Sequence, residues 1–161
     1  AYVINRNVGY WYETLTINKG KNDSIEEGMA VVNSKGLIGK ITKTTYTTST
    51  VKLLTGINNT NRVSVKIKIN DEYLFGILSN YEDGYLIIEG ISDTREIPVN
   101  SIVTTTGLDN KFASGIEIGK VKKTVTDNFE VARKVYIKSN VNFDDINYVM
   151  VLKKWYLFHL S

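Results

Sequence analysis

Residues 62–69 read Arg62-Val63-Ser64-Val65-Lys66-Ile67-Lys68-Ile69, a strict alternation of β-branched apolar side chains with polar ones. Only a strand with one buried and one wet face satisfies a period of two, because successive side chains of an extended chain point to opposite faces. Register is constrained as well: Val63, Val65, Ile67 and Ile69 face inward together, and a slip by one residue would move them all into water. A second alternating run, Phe129-Glu130-Val131-Ala132-Arg133-Lys134-Val135-Tyr136-Ile137, follows the turn-forming pair Asp127-Asn128. Runs of β-branched and aromatic residues predict further strands at Val3–Asn7, Glu13–Asn18, Gly36–Lys43, Val51–Leu54, Tyr73–Ser79, Tyr85–Glu89, Ile102–Thr105, Ile116–Val125 and Tyr148–Leu152. The gaps leave room only for one-turn helices, expected at Ser24–Glu27 and Asp144–Asn147.

The class is therefore mainly β. Many short strands separated by Gly, Asn and Asp close on themselves to remove unpaired edges, so the expected architecture is two small antiparallel β-barrels with only short helical turns. The polar stretch Gly56-Ile57-Asn58-Asn59-Thr60-Asn61 is the natural divide. It gives a first barrel over 1–60, a second over 61–142, a returning segment 143–155 available to complete the first, and a tail over 156–161. In Asn33-Ser34-Lys35-Gly36 the glycine supplies a hairpin turn between two apolar runs, and Gly107 is a further turn glycine. Ile38-Gly39-Lys40-Ile41 recurs as Ile118-Gly119-Lys120-Val121. Either the two halves are related or two glycine-kinked strands share a chance string. In both readings Gly39 and Gly119 mark bulges or sharp bends.

Little here can do chemistry. The chain has no cysteine and a single histidine, His159, which excludes a thiolate site or Cys nucleophile and leaves no metal cluster or buried triad. The carboxylate pairs Glu26-Glu27, Asp71-Glu72, Glu82-Asp83 and Asp144-Asp145 sit in turns, and neighbours on a strand point apart, whereas glycoside hydrolysis needs two carboxylates facing across a cleft. Asp93-Thr94-Arg95 lacks the glycine an aspartic-protease loop requires, and Gly115 to Lys120 has the wrong spacing for a phosphate loop. A net charge of +3 with dispersed lysines gives no electrostatic case for nucleic acid, though a weak attraction to anionic cell-surface polymers is compatible with it. No catalytic residue, metal or cofactor is expected. Two aromatic clusters stand out as partner contacts: Tyr10 and Tyr12 around Trp11, and Trp155, Tyr156 and Phe158 near the end of the chain.

The order of the strings is more specific than any one of them. A Trp11-started strand ending in Ile17-Asn18-Lys19-Gly20 is followed by Gly28-Met29-Ala30-Val31, Gly36-Leu37-Ile38-Gly39-Lys40, Ser49-Thr50-Val51-Lys52-Leu53-Leu54-Thr55 and Arg62-Val63-Ser64-Val65. Then come Gly76-Ile77-Leu78-Ser79, Val103-Thr104-Thr105-Thr106-Gly107-Leu108, and Phe112-Ala113-Ser114-Gly115-Ile116-Glu117-Ile118-Gly119-Lys120-Val121. This succession resembles the rod shape-determining protein MreC family over nearly the whole chain. Asn100-Ser101 stands where that family has Gly-Asp, and its prolines near Phe112 are absent. The resemblance implies a non-catalytic scaffold of cell-wall elongation that maintains cell shape, held outside the cytoplasm by a single N-terminal membrane helix that would precede Ala1. It further implies self-association as a dimer or filament, contacts with MreD and the elongation-specific penicillin-binding transpeptidase, and an indirect link to MreB across the membrane. The rival expectations are a degenerate β-barrel hydrolase built on a carboxylate pair, and an aromatic-lined barrel binding glycan or nucleic acid through Tyr10, Trp11 and Tyr12.

Overall fold

The computed structural model describes residues 1–7, 13–57, 61–108, 112–126 and 133–153. Its strands are β1 (Val3–Asn7), β2 (Thr14–Ile17), β3 (Ala30–Asn33), β4 (Gly36–Thr44), β5 (Ser49–Leu53), β6 (Val63–Ile69), β7 (Glu72–Glu82), β8 (Tyr85–Glu89), β9 (Ile102–Thr105), β10 (Glu117–Thr126), β11 (Arg133–Ser139) and β12 (Met150–Leu152). The alternating run folds as its period demands: Val63, Val65, Ile67 and Ile69 of β6 are buried and Lys68 is exposed.

Only one of the two expected barrels closes. Strands in the order β10-β11-β8-β7-β6-β9 form a closed barrel, with β9 returning to β10. The other unit is a six-stranded antiparallel sheet in the order β1-β2-β5-β4-β3-β12, whose outer strands meet at a single bridge, Tyr2 to Tyr148. β12 is three residues long and begins two residues after the bridge at Tyr148, so the contact does not extend into a ladder. Main-chain bonds from Val3 N to Asn147 O (3.2 Å) and from Val149 N to Ala1 O (3.0 Å) tie the seam.

The expected helical turns are also displaced. One-turn 3₁₀ segments form at Lys21–Asp23 and Leu54–Gly56, not at Ser24–Glu27 or Asp144–Asn147. Ser24 takes a left-handed conformation (φ 63°) that ends the first turn, and buried Ile25 anchors the chain directly after it. At 142–145 the Asn142 side chain accepts the Asp144 N–H, offering the backbone a turn in place of a helix.

The repeated string occupies the same place in both units. Gly39 lies opposite Leu53, Lys40 opposite Lys52 and Ile41 opposite Val51, followed by a register shift before Lys43. Likewise Gly119 lies opposite Ser139, Lys120 opposite Lys138 and Val121 opposite Ile137, followed by a shift before Lys123. On the other edge, the pairing skips Ile38 between β3 and β4 and Ile118 between β9 and β10. A side chain is excluded at both glycines by close approach of backbone: an added Cβ would stand 2.0 Å from the carbonyl oxygen of Lys52 at Gly39, and 2.0 Å from that of Lys138 at Gly119.

The units share their cores. Leu37 of β4, with Ala30, Val32, Leu54 and Ile57, packs into the barrel cluster around Val65, Ile67, Leu78 and Phe112, while Ile38 and Ile41 join Leu15, Ile17 and Val51 in the other. Phe143 touches both clusters. At Gly36 the hairpin turn meets the barrel so closely that a Cβ would fall 2.4 Å from the Glu117 carbonyl oxygen. Gly107 (φ 77°) turns the chain after β9.

Candidate interaction surface

β7 presents apolar side chains on both faces. Leu74 and Leu78 point into the barrel, while Tyr73, Phe75 and Ile77 alternate with them on the outside. Phe75 is 58% exposed and Leu108, beyond the β9 turn, is 77% exposed. Together with Ser64, Gly76, Gly90 and Thr106 they line a shallow groove of about 200 Å³. Lys66 lies across from Phe75 on β6, and its ammonium sits 4.6 Å from the centre of the Tyr73 ring, where the ring face attracts a cation. The run Tyr73-Leu74-Phe75-Gly76-Ile77-Leu78 carries the signal for this face: a strand with one wet side alternates, and a continuous apolar run marks a strand covered on both.

A second exposed apolar patch lies on the seam of the open sheet, where Tyr2 and Ile4 of the β1 side meet Tyr148 and Met150 of the β12 side. The Tyr2 and Tyr148 rings stand edge to face with centroids 4.6 Å apart. The Tyr148 hydroxyl donates a hydrogen bond to Tyr2, which favours its neutral form and raises the phenol above its ordinary pKa. Tyr10, Trp11 and Tyr12, and likewise Trp155, Tyr156, Phe158 and His159, lie outside the described residues.

The polar groups form ties and one open cleft. Asp93 accepts the Arg95 backbone N–H at 2.8 Å and its Nε–H at 3.0 Å, which holds the Asp93 carboxyl below the usual range; Arg95 also pairs with Glu72. Arg133 donates to the carbonyls of Asp93 and Arg95, tying this loop to β11. Between the units, Arg6, Glu13, Thr55, Tyr81, Lys138 and Asp144 line a cleft of about 380 Å³. Burial, then Asp144 and Glu13, push the Tyr81 phenol up. Two carboxylates from separate elements thus share one cleft, as a hydrolase would require. A general acid, however, needs a carboxyl dried by apolar surroundings. Asp144 is exposed, and Glu13 accepts the Thr55 hydroxyl in a cleft that Arg6 and Lys138 also line. Among the described residues no group of His, Cys, Asp and Glu could hold a metal ion.

The family model for rod shape-determining protein MreC, barrel core, matches residues 3–153. The chain belongs to the MreC family. The cell shape-determining protein MreC of Listeria monocytogenes is 36% identical over 160 residues, covering 96% of this chain and 52% of the relative, so the chain spans about half that relative's length. A solved MreC structure from Listeria superposes with a TM-score of 0.87 at 36% identity, covering 94% of this chain and 73% of that one. The major periplasmic domain of a cell shape-determining filament MreC gives 0.85 at 28% identity, with 92% and 90% covered. MreC from Helicobacter pylori, solved in complex with the penicillin-binding protein PBP2, shares the fold at a TM-score of 0.66 and 20% identity, with 86% and 84% covered. The MreC-like strings fall where backbone geometry is most constrained: Val103 to Leu108 runs through β9 into the Gly107 turn, and Ile118-Gly119 makes the bulge at the head of β10.

Proposed function

We propose that this chain is the extracytoplasmic β-domain of a non-catalytic scaffold that organises cell-wall elongation and so maintains cell shape. The observation that carries the reading is the outer face of β7, where Tyr73, Phe75 and Ile77 with Leu108 form an apolar surface on a closed barrel. Aromatic anchors on such a face are the usual energetic centre of a protein contact. The partner in this reading is the elongation-specific penicillin-binding transpeptidase; an MreC of the same fold is known in complex with a penicillin-binding protein. Self-association, as a dimer or a filament, is assigned to the aromatic residues Trp155, Tyr156, Phe158, Tyr10 and Tyr12. Support comes from a related periplasmic domain described as that of a filament. MreD beside it and MreB across the membrane complete the assembly, with a single N-terminal helix as anchor. Within the chain we assign 1–60 with 143–155 to one unit and 61–142 to the other.

The test is binding of the purified transpeptidase ectodomain to wild-type protein and to Phe75→Asp, Leu108→Asp. Both positions are exposed, so the fold and melting temperature are expected to persist while binding falls at least tenfold. Unchanged affinity removes this face from the contact. Turnover of a lipid-linked cell-wall precursor by the isolated domain would overturn the non-catalytic reading.

A further inference from the structure

Like charges directly opposite each other on paired strands repel. This fold keeps two such pairs at equivalent positions: Lys40 opposite Lys52 on β4 and β5, and Lys120 opposite Lys138 on β10 and β11. The first pair is accommodated by the protein itself. Lys40 donates to the Arg62 carbonyl at 3.3 Å and lies 5.4 Å from the centre of the Phe112 ring, while the Lys52 ammonium and Glu13 flank Gly56.

The second pair has no such accommodation. Among the described residues neither Lys120 nor Lys138 takes part in an ion pair. Lys138 also borders the cleft that holds Asp144, but no salt bridge joins them. On the other side, Lys120 and Lys138 line a pocket of about 220 Å³ with Asn100, Val121, Lys122, Ser139 and Asn140. Lys122 is there because the bulge between Val121 and Lys123 leaves it without a partner on β11. Among the described residues no carboxylate lines the pocket. Ser139 Oγ accepts the Val141 N–H, which leaves its hydroxyl proton to donate, and the Asn side chains supply further N–H donors.

We propose that this pocket is a binding site for a phosphate group. Three lysines bordering one pocket favour a phosphate over a singly charged carboxylate, and lysine recognises phosphate as a point charge. The volume is below that of sites that enclose a drug-sized molecule, so the pocket takes one phosphate of a longer molecule whose remainder lies in solvent. Two sources share this chemistry: a soluble phosphodiester polymer and a phospholipid headgroup.

Calorimetric titration with inorganic pyrophosphate tests the site. Wild-type protein is expected to bind with one-to-one stoichiometry, and Lys120→Gln, Lys138→Gln to bind about tenfold more weakly or worse, since each lost charged hydrogen bond is of that order. A control, Lys43→Gln, Lys68→Gln, at exposed positions away from the pocket, keeps the wild-type affinity. Poly(glycerol phosphate) competing with pyrophosphate assigns the site to a polymer, and phosphatidylglycerol vesicles competing alone assign it to a headgroup. A second readout does not depend on the ligand. In phosphate-free, low-salt buffer Lys138→Gln should raise the melting temperature by relieving the repulsion, and phosphate should stabilise the wild type but not the variant. Equal binding by the pocket variant, equal loss in the control, or a lowered melting temperature for Lys138→Gln overturns the proposal.

Discussion

Placing a methyl group on Gly119 tests one of the two closest backbone approaches among the described glycines together with the equivalence of the two units. The added Cβ would lie 2.0 Å from the Lys138 carbonyl oxygen, 2.8 Å from its carbon and 3.0 Å from the Ser139 Cα, and ordinary contact begins at 3.4 Å. β10 and β11 would have to part by about 1.4 Å at this point. A ladder hydrogen bond stretched that far is no longer a bond. Losing two such bonds costs about 2 kcal/mol, and the displaced packing of Ile118 and Val121 adds roughly another 1 kcal/mol. Against this, alanine at a position without positive φ recovers about 0.4–1 kcal/mol from the unfolded chain. The net loss is about 2–3 kcal/mol, a fall in melting temperature of roughly 5–10 °C for a chain of this size. Gly39→Ala meets the same geometry at Lys52 and should fall by a similar amount. Gly84→Ala is the contrast: its φ of 85° strains an L-residue, but nothing lies within 4 Å of the added atom, so about 1 kcal/mol is expected. Thermal unfolding of the three variants side by side decides the matter. If Gly119→Ala is no worse than Gly84→Ala, the close-approach argument fails.

Tyr148→Ala removes the edge-to-face contact with Tyr2 and should lower stability by about 1 kcal/mol, with hydrogen exchange quickening at Met150–Leu152 while β6 and β7 stay protected. The Asp93 carboxyl is held below its ordinary value by Arg95, so its contribution is fully present above that value and drains away as pH falls through the lowered one. Melting temperatures measured from neutral to acid pH should therefore fall less steeply for Asp93→Asn; parallel curves would show the tie to be idle. Trp155→Ala, Phe158→Ala should weaken self-association with the melting temperature unchanged, and identical sedimentation at matched concentration would remove the tail from the interface.

Local periodicity made most of the strands legible: Val63 to Ile69, and Val135 to Ile137 in β11, alternate buried with less buried side chains as only an extended strand does. The glycine at 119 was readable as a bend for the same reason: the apolar phase shifts across it. Closure was less legible. Whether a sheet joins its own edges depends on how far two outer strands run, and nothing local in Tyr148 to Leu152 reveals that only Met150 to Leu152 would pair with β3. The exposed face of β7 was hidden for a different reason. Aromatic clusters at Tyr10 to Tyr12 and Trp155 to Phe158 are conspicuous in the sequence, whereas Phe75 stands in an apolar run that reads equally well as core. The lysine pocket needs the pairing of Lys120 with Lys138, a contact between residues that sequence spacing leaves unconnected.

β12 pairs with β3, so the open sheet is assembled from both ends of the described chain with the whole closed barrel between them. During synthesis this becomes an interval of time. β1 to β5 leave the ribosome first, and at about 5–20 residues per second some 5–20 s pass between Ile57 and Leu152. Through that interval the outer edge of β3, with buried Ala30, Val31 and Val32, has no partner strand. The barrel, whose strands are contiguous from Val63 to Ser139, can close meanwhile. It then presents a finished surface to which Ala30, Val32 and Leu37 are already packed when the last strand arrives.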